Sequence, residues 1–252
     1  MFDWRMIALP VVLSTTVSGC DGAVSLGDGR SEAGSSAEAG AVGSRSYGFK
    51  DFVGVEVTGP DDVTIRQGDA FSIKASGSEA ELEQLEIELV GDRLSIGRKS
   101  ERFNASRVRS QGVKIAITMP RVTKLTLTGS GEVDADVVEG EAVSAVLTGS
   151  GDLKIGKLVG KNAAISLTGS GDLAVASGNV DQAQYKLSGS GDITASGLSA
   201  TALDLSITGS GSAEAHATGA ADVTILGSGD AMLTGGASCS TRTLGSGEVS
   251  CT

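Results

Sequence analysis

The chain has 252 residues, a net charge of −11 and an unusual wealth of glycine, 37 residues against 3 Pro, with aromatics at only 3%. Hydrophobic residues still reach 40%, so the chain can bury a core and is not a disordered polymer throughout. From Gly129 onward fourteen acids face five Lys and Arg, a balance that repels phosphate backbones and excludes nucleic acid as the expected partner. Glycine together with abundant Val, Ile, Leu and Ala points instead to a narrow core of modest side chains closed by many tight turns.

At the N-terminus, Arg5 precedes an apolar run at residues 6–17. The run is too short for a membrane-spanning helix, which needs about 20 residues, and suits the apolar region of a secretory signal. It ends in Val17-Ser18-Gly19-Cys20, which resembles a bacterial lipobox. The resemblance implies cleavage before Cys20, acylation of Cys20 and attachment to a membrane of the cell envelope, inner or outer. Residues 1–19 are then the signal. Residues 20–46 are almost all Gly, Ser, Ala and acids with no apolar period, so they are expected to form a disordered tether.

Residues 47–128 carry strand patterns at 53–57, 63–66, 71–74, 85–90, 93–96, 113–118 and 122–127. Phe49, Phe52, Phe71 and Phe103 all fall here, which suits an end cap or a wider first set of coils covering the open edge of a stack. The basic residues Arg93, Arg98, Lys99, Arg102, Arg107 and Arg109 read as a solvated excursion, with a ligand patch as the alternative.

Residues 129–252 are a repeat. Gly-Ser-Gly begins at Gly129, Gly149, Gly169, Gly189, Gly209, Gly227 and Gly245, at spacings of 20, 20, 20, 20, 18 and 18. Self-similarity at such a period means stacked coils. Around each turn the apolar residues alternate, as in Ile165, Leu167, Leu173 and Val175, or Ala145, Leu147, Leu153 and Ile155, or Tyr185, Leu187, Ile193 and Ala195. Period two on both sides of a turn predicts strand, corner, strand, and leaves no helix within the repeats. Gly supplies positive φ at the corner and removes the Cβ where stacked coils crowd. The Ser between the two glycines could form a hydroxyl ladder. The fold class is therefore all-β: a single-domain parallel β-helix, right-handed by the rule for parallel crossovers, in which neighbouring coils bury what one coil cannot. With Cys20 acylated, Cys239 and Cys251 remain, six residues before and six after Gly245. In an oxidising compartment they are expected to pair and pin the last coil.

The repeated Leu/Ile-x-Leu-Thr-Gly-Ser-Gly-Asp-Leu/Ile motif follows a Phe-x-x-Val-x-Val opening at Phe52, Val55 and Val57 and ends in a Cys-containing coil. This pattern resembles the putative auto-transporter adhesin, head GIN domain family, over residues 47–252. The resemblance implies a secreted or surface-attached β-helix and sharpens the fold more than the function.

Little chemistry is legible. The residues after each Gly-Ser-Gly are Glu132, Asp152, Asp172, Asp192, Ser212, Asp230 and Glu248. Stacking predicts an acidic column, which either fixes turns through backbone N–H groups or attracts Ca²⁺; the turn role is the reading adopted, with no metal or cofactor. A polysaccharide-cleaving enzyme is the second class considered. The repeat body offers it only Lys154, Lys157, Lys161, Lys186 and Arg242 as cations, and Tyr185, expected inward, as its aromatic. His216, the single His, is expected at an outward position, and no Ser/His pair or CxxC occurs. The expectation is a non-catalytic, lipid-anchored envelope protein that binds a protein or glycan ligand along its long face. An envelope accessory protein acting through protein contacts is the alternative.

Overall fold

The computed structural model describes residues 42–99 and 112–252. It is 76% strand and 3% helix, its parallel coils stacked into a β-solenoid of about six turns. The repeats behave as their alternation dictates. Strands β9 (Glu132–Gly149) and β10 (Asp152–Gly169) lie parallel with Asp152 on Glu132 and Gly169 on Gly149. The next coil is split into β11 (Asp172–Val175) and β12 (Gly178–Gly189), followed by β13 (Asp192–Gly209) and β14 (Ser212–Gly227). The last coils are β15 (Asp230–Thr234), β16 (Ser238–Gly245) and β17 (Val249–Cys251). A pairing offset equal to the sequence period puts like residues on like residues, so the core is a set of columns. Ile165, Leu167, Leu173, Tyr185, Leu187 and Ile193 are each at most 1% exposed.

The change from 20- to 18-residue spacing is absorbed at two corners. The register between β13 and β14 shifts between Ala195 and Ser199 and again between Ala200 and Ala202, while the pairing around Leu205–Val223 and Gly209–Gly227 continues unbroken. Corners can lose residues because they do not define which face is inward. The strands cannot, since a one-residue slip would turn the core face outward.

The corners show why both glycines are required. Gly169 has φ +129°, and a Cβ there would lie 2.1 Å from the Gly149 carbonyl oxygen of the coil before. That oxygen accepts N–H groups from Ser170 (2.9 Å) and Gly171 (3.2 Å). A Cβ on Gly171 would lie 2.1 Å from the Gly151 carbonyl oxygen. The intervening serines are exposed, and no hydrogen bond joins their hydroxyls among the described residues. The expected hydroxyl ladder is therefore absent; carbonyls and backbone N–H groups form the ladder instead.

The N-terminal region departs from the expected simple stack. Strand β2 (Gly54–Gly59) lies between β6 (Arg93–Arg98) and β8 (Lys124–Gly129), parallel to both. Strand β3 (Asp62–Gln67) likewise lies between β7 (Lys114–Met119) and β9. The coil built first in sequence is thus sandwiched: β6 and β7 go beneath it, and β8 and β9 return above. Beyond them, β4 (Ser72–Ser78) runs antiparallel on β7, β5 (Leu85–Val90) antiparallel on β6, and β1 (Val42–Tyr47) antiparallel on β4. A short helix, α1 (Glu79–Gln84), closes this end with Leu82 fully buried and Ser78 as its N-cap, accepting from the Glu81 N–H. Phe52 is buried in this region with its ring centroid 4.9 Å from that of Phe71.

Two sequence expectations are corrected here. Residues 42–46, assigned to the tether, are strand: alternate residues face the cap, and Arg45 donates to the Leu82 carbonyl (2.9 Å) and pairs with Glu79. The basic stretch is not a free excursion where it is described. Arg93 pairs with Glu56 at 2.7 Å, Arg98 pairs with Asp61 and Glu81, and Lys99 donates to the Glu83 carbonyl. Arg102, Phe103, Arg107 and Arg109 lie outside the described residues, as do the signal segment, Cys20 and the rest of the tether.

At the other end, Cys239 and Cys251 form a disulfide with their Cα atoms 6.7 Å apart. Both continue inward columns, above Ala221 and Leu233 respectively, so the bond lies across the open end of the core. Thr241 and Thr243 take the inward positions above Val223 and Ile225. Both threonines are exposed. Cys239→Ser/Cys251→Ser should lower stability by about 3 kcal/mol, the loop-closure value for a short loop. Hydrogen exchange should quicken first in β16 and β17; uniform quickening over all coils would contradict an end-pinning role.

One core residue is imperfectly matched. The Tyr185 hydroxyl is buried without a hydrogen-bond partner, and burial pushes its pKa up. An unpaired buried hydroxyl costs about 1–3 kcal/mol. Tyr185→Phe keeps the ring and removes that cost, so the unfolding midpoint in urea should rise; a fall would reveal a partner for the hydroxyl.

Candidate functional site

The structure brings the residues after each corner into the expected column. Glu132, Asp152, Asp172 and Asp192 are neighbours in register, and Ser212 sits on Asp230. Two of the carboxylates serve the backbone: Asp192 accepts the Ser212 N–H and Asp230 the Glu248 N–H, both at 2.9 Å. Glu132 binds Lys154 at 2.6 Å and raises the pKa of its ammonium. Among the described residues, no group of three or more His, Cys, Asp and Glu is placed to hold a metal ion.

The remaining candidates for chemistry are dispersed. His216 is half-buried, with Nδ1 3.0 Å from the Thr234 hydroxyl and its ring against the Gly235 backbone. Lys161 is occupied by Glu141 at 2.7 Å. No helix among the described residues is long and apolar enough to cross a membrane.

A different feature stands out on one long face. An open groove of about 690 Å³ runs along the solenoid axis across β8, β9, β10, β12, β13 and β14. Its floor is the buried column Val143, Ala163, Ala183 and Leu203. Alanine at two of these four places keeps the floor low. One wall carries Asn162 and Gln182; the other is a single column, Lys124, Ser144, Ala164, Gln184, Asp204 and Asp222. None of the lining residues is aromatic. Sequence reading missed this face although its signal was present, since Lys124, Ser144, Ala164, Gln184 and Asp204 stand at 20-residue intervals.

Fold and surface together define a β-solenoid with a grooved lateral face. Among solved structures, a putative adhesin from Bacteroides fragilis shares this fold, with TM-score 0.71 and 19% identity over 84% of this chain and 97% of that one. A putative lipid binding protein from Parabacteroides distasonis matches with TM-score 0.66 and 25% identity, again over 84% and 97%. A putative adhesin from Parabacteroides merdae matches with TM-score 0.65 and 19% identity over the same shares. No curated protein matches the sequence. The family model described as putative auto-transporter adhesin, head GIN domain, matches residues 51–237, and the chain belongs to that family.

Proposed function

We propose that this chain is a non-catalytic binding module of the bacterial cell envelope, anchored through an acylated Cys20, that holds an extended ligand in its lateral groove. The observation that carries the reading is the groove itself, which spans successive coils and so presents a fresh wall side chain at each strand spacing, about 4.8 Å. A surface of that form suits a long ligand rather than a small one. The single His, His216, bonds to the Thr234 hydroxyl and not to a carboxylate, which favours binding over turnover. Adhesion is the role that the family's description suggests, and the Parabacteroides distasonis neighbour adds lipid to the ligands worth testing.

Ala164→Trp is the probe of this reading, because Ala164 is exposed on the groove wall and an indole there fills the channel. Wild-type and Ala164→Trp chains should be presented to a glycan array, intact cells and phospholipid vesicles. Retention on at least one of them by wild type, lost in the variant, is the expected result; equal behaviour of the two chains on every surface would remove the groove from the function. Anchoring is tested separately by metabolic palmitate labelling, which Cys20→Ala should abolish while releasing the protein from the membrane fraction.

A further inference from the structure

Several charges of this solenoid are met by a partner. Opposite charges meet across neighbouring strands, as in Lys154–Glu132, Lys161–Glu141, Arg66–Asp134 and Arg93–Glu56. The charges of the groove wall are not met in this way. Its column holds Lys124 at one end and Asp204 and Asp222 at the other, separated by the uncharged Ser144, Ala164 and Gln184. All three charged residues are exposed and carry no ion pair or side-chain hydrogen bond among the described residues. At the spacing of adjacent strands, Lys124 stands about 19 Å from Asp204 and about 24 Å from Asp222 along the axis. The site is therefore a dipolar channel whose two poles have no charged partner among the described residues.

Building on the groove-binding reading above, we infer that the occupant is an extended polypeptide segment, seated with a cationic side chain on Asp204 and Asp222 and an anionic one on Lys124. The span between the poles matches roughly six or seven residues of extended chain at about 3.3 Å each. Asn162, Gln182 and Gln184 each offer a donor and an acceptor, the complement of a peptide group. They must supply those bonds because the backbone of a central parallel strand is already paired within the sheet. The small apolar floor receives the alternate side chains of such a segment. The absence of any aromatic from the lining removes the stacking platform that would favour a glycan.

The test uses the full chain and a fluorescent, end-blocked heptapeptide of alanine and serine with lysine at one end and glutamate at the other, followed by anisotropy. A control peptide has serine at both charged positions. Saturable binding of the charged peptide is expected, about tenfold weaker for the control and for Asp204→Asn/Asp222→Asn. Lys124→Glu should weaken it too, and a peptide with lysine at both ends should restore binding to that variant. All these substitutions are at exposed positions, and unchanged melting curves confirm that each chain is folded. Equal binding of charged and neutral peptides, or none of either, overturns the inference. If glycan or vesicle binding is lost in Ala164→Trp while no peptide binds, the groove function stands and the polypeptide occupant falls. If Ala164→Trp alters no binding of any kind, both fall.

Discussion

Gly169→Ala should destabilise the solenoid by about 3–5 kcal/mol, whereas Ser170→Ala, one residue away, should change stability by less than about 0.5 kcal/mol. The first figure has two sources. A φ of +129° is strained for any residue with a Cβ, at about 1–3 kcal/mol. The new Cβ would also stand 2.1 Å from the Gly149 carbonyl oxygen, and only separation of the two coils relieves that contact. Separation breaks the bonds this oxygen accepts from Ser170 and Gly171, each contributing about 1 kcal/mol. Because every corner leans on the one before, the damage falls in the middle of the stack. The Ser170 hydroxyl is exposed and bonded to nothing. Urea unfolding of both variants distinguishes the two glycine roles from mere flexibility: if Gly169→Ala unfolds with the midpoint of Ser170→Ala, the corner does not require glycine.

The repeat body was legible in the sequence because one local rule is applied seven times. Period-two alternation fixes which side chains face inward, and a constant period stacks them in columns. Ile165, Leu173 and Tyr185 were placed in the core on that ground alone, and all three are buried. The N-terminal region was illegible for the opposite reason, since its order is set by long-range pairing. No local pattern says that β6 slides beneath β2 instead of stacking above it. A partial signal was overlooked. Val55, Val57, Thr58 and Gly59 repeat the spacing of Leu125, Leu127, Thr128 and Gly129, and Gly59 pairs with Gly129. Gly59-Pro60-Asp61 is thus an additional corner of the ladder, disguised by the loss of Ser-Gly. The acidic column was predictable from spacing, but its hydrogen bonds to the next coil were not. The groove escaped notice because its polar residues differ from coil to coil, and only the constant interval between Lys124 and Asp204 marked them.

That disguised corner carries the second large prediction: Arg98→Ala should cost about 3 kcal/mol, toward the lower end of what is lost when one partner leaves a buried ion pair. Asp61 occupies the place of the second corner glycine and is fully buried, while Arg98 is partly exposed. The guanidinium donates Nε to the Asp61 carboxylate at 2.9 Å, pairs with its other oxygen and with Glu81, and so ties β6 to the first corner and to α1. Burial alone would lower the Arg98 pKa, but the hydrogen bonds and charges of Asp61 and Glu81 together raise it, which keeps the cation in place. Removing it leaves a buried carboxylate with the Val113 N–H (2.7 Å) as its remaining donor. The sign of the coupling is testable. Arg98→Ala/Asp61→Asn should be more stable than Arg98→Ala alone, because the amide keeps an acceptor for Val113 without a buried charge. Were the double variant the less stable of the two, Asp61 would be contributing through its shape at the corner, and the ion pair would not be what holds the cap on the stack.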